Sequence, residues 1–212
     1  ASVATAPVGA PTKPAAAAPA AAPSPTPAPK VKRGGKLTAT WQWQFMGMDP
    51  HINHQGLILL HENLFSYELV DEKTYQFEVK PDLAESWELK DPKTFVIKLR
   101  KGIKFQDGSD FNAEAAQWNL DRMLNHTKSR VQGWVESIAS VDVVDSHTIR
   151  LNLVAPSAAQ LILLSTEAES VVGIISKAWW EKQGDEGINR HPVGTGPFKF
   201  KTYTPGVSLQ GV

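Results

Sequence analysis

The chain has 212 residues with 22 basic and 22 acidic side chains, so its formal net charge is zero. That balance argues against a nucleic-acid-binding protein, because such proteins carry an excess of Lys and Arg that neutralises phosphates. The sequence contains no cysteine, which excludes disulfide scaffolds, Cys-ligated zinc sites and thiol nucleophiles.

The first 33 residues differ in composition from the rest. Residues 1–29 contain twelve alanines and eight prolines, and residues 1–33 carry four basic side chains and no acidic one. Closely spaced prolines prevent a continuous helix and favour polyproline II. We predict a disordered Ala/Pro-rich linker over 1–33, serving either as a stalk after an N-terminal anchor or as a low-complexity tail without a task. Because the chain begins with Ala, we expect an upstream segment to have been removed or omitted.

The folded part is predicted to begin at Gly34. KLTATWQWQ (36–44) is rich in β-branched and aromatic residues, which favours a strand. Apolar residues then recur near helical spacing, which predicts a helix over about 53–66. These residues are Leu57, Leu60, Leu64 and Phe65.

Two later segments alternate between apolar and polar residues. TFVIKLR (94–100) and TIRLNLV (148–154) each place three apolar side chains on one face. Strands with one apolar face and one solvated face are typical of antiparallel sheets, so we predict antiparallel pairing.

Helices are predicted between and after these strands. NAEAAQWNLDRML (112–124) begins with Asn112 as a predicted N-cap and has an acidic residue in its first turn. Further helices are predicted over 157–165 and near 176–182, and PFKFKTY (197–203) is predicted to be a strand. Strands grouped in pairs among helices indicate an α+β fold of mixed α/β composition.

The stretch HPVGTGPFKF (191–200) contains two glycines around a threonine but does not fit a phosphate loop. A Walker A motif needs a Lys and a following helix whose free amides hold the phosphate. Here Gly196 is followed by Pro197, which donates no amide, and then by a predicted strand. We therefore interpret the glycines as allowing a sharp backbone turn before that strand.

Three histidines, His51, His54 and His61, raise a metal hypothesis. The neighbouring Pro50 makes a regular helical face for His51 and His54 doubtful, and polar residues at the mouth of a cleft or on a helix end are the favoured interpretation. We predict no metal site and no cofactor. The sequence has neither a G-x-S-x-G elbow nor an H-E-x-x-H motif, so we predict a protein that is not an enzyme.

Several stretches together resemble the extracellular solute-binding proteins of family 5, the receptors of peptide- and nickel-type ABC importers. The segment 81–124 contains a PDLAESW element, a strand ending in LRKG, a KFQDG turn and a helix starting with Ala-Glu, in the order found in the family. SVDVVDSHTIRLNLVAPSA (140–158) resembles the next hairpin, and HPVGTGPFKFKTY resembles the family's Gly-Thr-Gly-Pro-aromatic element. The resemblance extends from about residue 36 to the end.

The resemblance implies a periplasmic-binding-protein-like fold with a first lobe, an inserted small domain and no second lobe. Its expected parts are 34–75 as the first part of lobe I, 76–190 as the small domain and 191–212 as the return strand. Gly194, Thr195, Gly196 and Pro197 are then expected at the crossing between domains. Because family members are longer, we expect the chain to be an N-terminal fragment.

The resemblance also implies where a ligand binds. The loop after the first strand lines the cleft in relatives, and the position of Trp134 lies at the cleft edge in relatives. Arg130, which is nearby in the sequence, is expected to meet a carboxylate. The expected ligand-binding residues are Trp43, Phe45, Met46, His51, His54, Gln55, Arg130 and Trp134. Core packing is the competing interpretation for Trp43, a structural role for Trp134 and a solvated surface position for Arg130.

The resemblance therefore implies a receptor that captures short peptides or similar solutes by lobe closure and delivers them to ABC permease and ATPase subunits. The alternatives are a nickel- or metal-chelate-binding receptor of the same family and a tethered interaction fragment that binds no solute. We expect a location on the periplasmic or extracellular face of the cytoplasmic membrane. Membrane attachment is expected only through an N-terminal lipid anchor, and no nucleic acid is expected as a partner.

Overall fold

A computed structural model describes residues 47–53, 59–157, 159–166, 172–205 and 207–212, all within the unit Trp41–Val212. The described strands are β1 Phe65–Asp71, β2 Gln76–Pro81, β3 Ala84–Asp91, β4 Thr94–Leu99, β5 Ile138–Asp145, β6 Thr148–Leu153, β7 Ser165–Thr166, β8 Phe200–Thr204 and β9 Ser208–Gly211. The described helices are α1 Pro50–Asn53, α2 Ala113–Asn125, α3 Gln132–Val135, α4 Gln160–Leu163 and α5 Lys177–Arg190. This mixture of helices and largely antiparallel strands confirms the predicted fold class.

The central element is a four-stranded antiparallel sheet in the order β3-β4-β6-β5. The predicted alternation is confirmed, since Phe95, Ile97 and Leu99 of β4 are buried on one face while Lys98 is exposed on the other. β6 repeats the pattern and pairs directly with β4, with Ile97 opposite Ile149. The apolar face therefore lies against the rest of the protein, and the polar face is solvated.

Helix α2 covers the apolar face of this sheet. Asn112 is its N-cap, as predicted, and its side chain accepts a hydrogen bond from the Ala115 amide at 2.9 Å. Its apolar stripe of Ala113, Ala116, Leu120 and Met123 is buried, and Leu124 is half-buried against the same core. Burying this stripe against β5 and β6 forms much of the main core and fixes the orientation of α2, and with it the position of Arg122 on the same helix.

Two smaller sheets flank this core. β1 pairs with β2 in an antiparallel hairpin and with β7 in parallel, whereas β8 and β9 form a separate hairpin. A second cluster joins Met48 and Leu60 to four side chains of the C-terminal hairpin region. These side chains are Phe198, Phe200, Tyr203 and Leu209.

The predicted helix over 53–66 is wrong in its described part. Helix α1 ends at Asn53, residues 59–64 form a turn and irregular backbone, and Phe65 begins β1. Leu60 is buried with Met48, whereas Leu64 and Phe65 belong to the main core, so their spacing reflects packing from an irregular segment.

Other predicted elements differ in extent. The helix predicted over 157–165 is the single turn of α4 followed by β7, and the strand predicted from Pro197 begins at Phe200. The helix near 176–182 is confirmed and extends to Arg190, with the Ser176 side chain capping it. Gly184 interrupts this helix with a φ of 65°, a conformation that a residue with a Cβ rarely adopts. The predicted strand over 36–44 and linker over 1–33 lie outside the described residues.

Candidate functional site

Three of the expected ligand-binding residues fall in the described part of the chain. They are His51, Arg130 and Trp134. The others, Trp43, Phe45, Met46, His54 and Gln55, lie outside the described residues.

Asp49 organises the segment 47–53 from its centre. Its carboxylate accepts a hydrogen bond from the His51 amide at 3.0 Å, and its own carbonyl accepts one from the Asn53 amide. Asn189 of α5 adds a second anchor, because its side-chain oxygen accepts from the Met48 amide at 3.0 Å and from Asn53 Nδ2 at 2.7 Å. The segment is therefore held by α5 as well as by its own cap.

Arg122 of α2 lies at the centre of a buried polar cluster with Asp49, His51 and Asp185, here called the Arg122 cluster. Its Nη2 donates to Asp49 Oδ2 at 2.6 Å and to Asp185 Oδ1 at 2.8 Å, and its Nη1 donates to Asp49 Oδ1 at 3.2 Å. The Asp49 side chain is fully buried and that of Arg122 is 4% exposed. Burial opposes the charge, but the hydrogen bonds that the guanidinium donates to the two carboxylates outweigh it and raise the pKa of Arg122.

His51 is completely buried and both of its ring nitrogens have protein partners. Arg122 Nη1 lies 2.7 Å from Nδ1, and the Gly173 carbonyl lies 2.9 Å from Nε2. Because a guanidinium only donates and a carbonyl only accepts, Nδ1 must be the acceptor and Nε2 must carry the hydrogen. Burial, reinforced by the Arg122 charge, lowers the pKa of His51 to about 3 despite the nearby Asp49 carboxylate. The imidazole is neutral at pH 7 and has no free nitrogen to offer a ligand.

Asp185 directly follows the interruption of α5 at Gly184 and faces Arg122 across the helix pair. Its carboxylate also accepts from Trp180 Nε1 at 2.7 Å and from His126 Nε2 at 2.8 Å. Partial burial would raise the pKa of Asp185, but the hydrogen bonds from Arg122, Trp180 and His126 prevail and hold it well below its usual range. One carboxylate thus connects α5 to both the last turn and the C-cap of α2.

Arg130 is exposed, yet its backbone is fixed by the same region. Its amide donates to the His51 carbonyl at 2.9 Å. Ser129, its neighbour, donates from Oγ to the Met123 carbonyl at 2.6 Å and from its amide to the His126 carbonyl at 2.8 Å. A surface guanidinium therefore projects from a loop with a rigidly bonded backbone.

Trp134 lies four residues further on, in the one-turn helix α3. It is half-buried and packs against the main core. The structure thus brings His51 and Arg130 together through the backbone and places Trp134 on the adjacent turn. Their part in ligand binding remains a prediction.

Gly194 to Pro197 lie beside Leu59, Leu60 and His61 in what is here called the Gln106 seam. The seam consists of residues 59–62, 172–176 and 193–198, whose backbones are hydrogen-bonded to one another, with Gly196 N donating to Leu60 O at 3.0 Å. Gln106 of the KFQDG turn fastens the seam, since its Nε2 lies 3.1, 3.0 and 2.7 Å from the carbonyl oxygens of Leu60, Gly196 and Phe198.

The reason for the two glycines differs from the predicted sharp turn. Neither Gly194 nor Gly196 has a positive φ. A Cβ at Gly194 would instead lie 2.2 Å from the Leu60 carbonyl oxygen, and one at Gly196 would lie 2.6 Å from the Leu60 carbonyl carbon. The glycines are needed because the backbones approach too closely for any side chain.

A separate open groove of about 340 Å³ lies on the outer face of α2. Its lining residues are Glu114, Gln117, Trp118, Asp121, Val143 and Lys177. Burial raises the pKa of Asp121. None of the expected ligand-binding residues lines this groove. Among the described residues, no group of three or more His, Asp or Glu side chains is arranged to hold a metal ion.

Sequence reasoning missed Arg122 and Asp185. The sequence carries one weak signal for Arg122. Asn119 and Arg122 are three residues apart and therefore neighbours on α2, next to its apolar stripe, where side chains are expected to be buried. Both side chains are buried, and Asn119 Nδ2 donates to the Ile175 carbonyl.

Comparison with known proteins decides the family. Residues 78–212 match the profile of the bacterial extracellular solute-binding proteins, family 5, middle region. The chain belongs to this family. It is 41% identical over 132 residues to the glutathione-binding protein GsiB of Escherichia coli O1:K1, and the match covers 60% of this chain and 25% of GsiB. The chain therefore spans about a quarter of the length of that relative.

Two solved structures that resemble this chain share its fold. MoaA from A. tumefaciens R10, in complex with mannopinic acid, is 29% identical with a TM-score of 0.67, and the match covers 78% of this chain and 34% of MoaA. NikA from Brucella suis, in complex with Fe(III)-EDTA, is 28% identical with the same TM-score, and the match covers 82% of this chain and 34% of NikA. Within the described part of this family 5 chain, no helix is both long and apolar enough to cross a bilayer.

Proposed function

We propose that this family 5 chain is part of an extracytoplasmic receptor of an ABC importer that captures a short peptide or a similar small solute. The observation that carries the proposal is the family match over residues 78–212, together with 41% identity to a glutathione-binding protein. Capture proceeds by closure of two lobes around the solute, which removes water from both faces of the pocket. The closed receptor then delivers its solute to the permease and ATPase subunits.

The chemistry of the relatives' ligands suggests what this chain recognises. Glutathione, mannopinic acid and EDTA, named with GsiB, MoaA and NikA, each carry more than one carboxylate group. The exposed guanidinium of Arg130 can pair with a carboxylate through two parallel hydrogen bonds, and the half-buried ring of Trp134 supplies apolar contact beside it. We propose that Arg130 and Trp134 contact the ligand. The expected contacts of Trp43, Phe45, Met46, His54 and Gln55 remain part of this proposal.

His51 has a different proposed role within the same site. Its ring is buried and bonded on both sides, so it supports the site through its backbone carbonyl, which accepts the Arg130 amide. The division into lobe I over 34–75, a small domain over 76–190 and a return strand over 191–212 also remains a proposal, as does a lipid anchor. We place the receptor outside the cytoplasmic membrane, where such solutes are captured.

Thermal unfolding followed by tryptophan fluorescence tests the ligand class. A ligand that binds only the native state raises the midpoint by mass action. We expect reduced glutathione to raise the midpoint more than Fe(III)-EDTA or a nickel–histidine chelate. A larger rise with either chelate would instead favour the metal-chelate receptor.

Arg130→Gln is the variant that assigns the contact. It should abolish the glutathione-dependent rise while leaving the ligand-free midpoint unchanged, because the Arg130 side chain is exposed. Arg150→Gln, which removes an exposed guanidinium from the sheet, is the matched control and should leave the rise intact. If no ligand in the series shifts the wild-type midpoint, these residues do not suffice for capture.

A tethered interaction role without solute capture is the second candidate. The β1–β2 hairpin favours it, because Tyr67 and Phe77 stack at 5.1 Å on one face and Phe77 and Leu69 are 45% and 41% exposed. Exposed apolar faces of this kind are uncommon on isolated soluble domains. Absence of ligand binding, together with self-association in sedimentation that Phe77→Thr abolishes, would favour this role.

A further inference from the structure

We propose that Arg122 is a positioning residue, which holds the loop 126–131 so that Arg130 is presented to the ligand. The inference rests on the proposed function, in which Arg130 contacts a carboxylate of the solute. Arg122 itself is buried and cannot touch a ligand, so its effect must pass through other residues. Two separate connections carry it, one to each end of the loop.

The first connection runs through His51. Arg122 Nη1 donates to His51 Nδ1 at 2.7 Å, which leaves Nε2–H to donate to the Gly173 carbonyl at 2.9 Å. The imidazole is thereby fixed in one tautomer and one orientation. The carbonyl of the same residue accepts the Arg130 amide at 2.9 Å. The position of Arg130 therefore depends on where His51 is held.

The second connection runs through Asp185. Its Oδ1 accepts from Arg122 Nη2 at 2.8 Å, and its Oδ2 accepts from His126 Nε2 at 2.8 Å. The His126 carbonyl accepts the Ser129 amide at 2.8 Å, which closes the loop directly before Arg130. The loop is thus restrained at both ends by partners of a single guanidinium.

The geometry requires a guanidinium rather than any cation. The two terminal nitrogens of Arg122 reach acceptors on Asp49, His51 and Asp185, which belong to segment 47–53 and helix α5. A lysine ammonium is a point charge that cannot span these directions. Arg122→Lys therefore keeps the charge of the cluster while breaking its connections.

The test compares Arg122→Lys with Arg150→Lys, whose guanidinium forms an exposed pair with Asp142 at 2.8 Å. Amide hydrogen exchange is measured without ligand, so it does not depend on the proposed function. In Arg122→Lys the Arg130 and Ser129 amides should exchange at least about tenfold faster, while amides of β4 and β6 keep their protection. In Arg150→Lys the loop amides should not change.

Binding supplies the second readout, by calorimetry with reduced glutathione. Arg122→Lys should weaken the affinity by about tenfold, with Arg150→Lys unchanged. If Arg122→Lys folds poorly, Asp185→Asn replaces it, because Asp185 is partly exposed and its loss frees only the His126 end of the loop. In that variant the Ser129 amide should lose more protection from exchange than the Arg130 amide does.

The outcomes separate this inference from the proposed function. Unchanged exchange of the Ser129 and Arg130 amides in both Arg122→Lys and Asp185→Asn would overturn the positioning role. Faster exchange with unchanged glutathione affinity would overturn its link to binding. Faster exchange in a protein whose wild type binds no ligand would support the restraint of the loop and count against capture of a solute by these residues.

Discussion

The guanidinium of Arg122 and the carboxylate of Asp49 form a buried two-bond ion pair, at 2.6 and 3.2 Å, between residues 73 positions apart. The pair fixes the start of the described chain against α2, whose own orientation is set by the sheet. Removing water from two charges is costly, and Asp185 and His51 offset part of that cost by accepting further hydrogen bonds from the two terminal nitrogens of the guanidinium.

Breaking this pair should destabilise the fold strongly. Arg122→Met leaves the Asp49 carboxylate buried without its cation, and the free energy of unfolding should fall by about 3–5 kcal/mol. Urea unfolding followed by circular dichroism measures the change. Arg150→Met, which removes the exposed partner of Asp142, should cost less than about 1 kcal/mol. If Arg122→Met and Arg150→Met lower the free energy of unfolding equally, burial of the Arg122–Asp49 pair does not make it more important for stability than an exposed pair.

His51 should make stability fall in mild acid. Its pKa is lowered in the folded protein to about 3, from an ordinary value of 6.5, so between these values the unfolded state binds a proton that the folded state does not. Stability contributed by the neutral imidazole is therefore complete above pH 6.5 and is lost as the pH falls. The slope attributable to His51 approaches about 1.4 kcal/mol per pH unit.

His51→Gln tests this slope, because glutamine can hydrogen-bond but does not titrate. The free energy of unfolding is measured in urea at several pH values between 7 and 4.5, roughly the range in which the histidine slope develops. The variant should be less stable than wild type at pH 7 and should lose less stability on acidification. Parallel pH curves for the two proteins would mean that His51 binds its proton equally well in the folded and unfolded states, which would refute the lowered pKa.

The seam should not tolerate a side chain at Gly194. Gly194→Ala would place a Cβ 2.2 Å from the Leu60 carbonyl oxygen and 2.7 Å from His61 Cδ2, so the backbones must separate. We expect a loss of about 1–3 kcal/mol in thermal or urea unfolding. Gly133→Ala is the control, since a Cβ there meets nothing within 4 Å and the change should be neutral or slightly stabilising. A neutral Gly194→Ala would refute the close approach.

Gln106→Glu should weaken the seam by electrostatics rather than by size. The substitution turns the Nε2 donor into a carboxylate oxygen that faces the carbonyls of Leu60, Gly196 and Phe198. A loss of about 1–3 kcal/mol is expected, because the buried acceptors lose their donor and gain a repulsive neighbour. Gln132→Glu changes an exposed glutamine that bonds a single carbonyl, and should alter stability by less than about 0.5 kcal/mol.

The sequence predicts well those parts of the fold that depend on residues close together in the chain. The alternation in β4 and β6 and the Asn112 cap of α2 each depend on neighbouring residues, so the pattern indicates the structure directly. The helix predicted over 53–66 is wrong over the described residues 59–66, because helical spacing of apolar residues also arises when an irregular segment packs against two different clusters. Leu60 and Leu64 do so here.

The candidate site is only partly predictable, because its contacts join residues that are far apart in the chain. Family resemblance drew attention to His51 and Arg130 but could not show that the imidazole is buried and that the two residues share a backbone hydrogen bond. The partners of Arg122 lie 73 and 63 positions away along the chain, and no local pattern relates them. Only the packing of α2, α5 and segment 47–53 brings Asp49, Arg122 and Asp185 together.

The side-chain amide of Gln106 has two hydrogens but faces three carbonyl oxygens, all within 3.1 Å. One of the three acceptors must therefore share a hydrogen. Because the acceptors belong to segments 59–62 and 193–198, which also bond to each other through Gly196 N and Leu60 O, a single side chain from the KFQDG turn serves as a common donor to both strands of backbone.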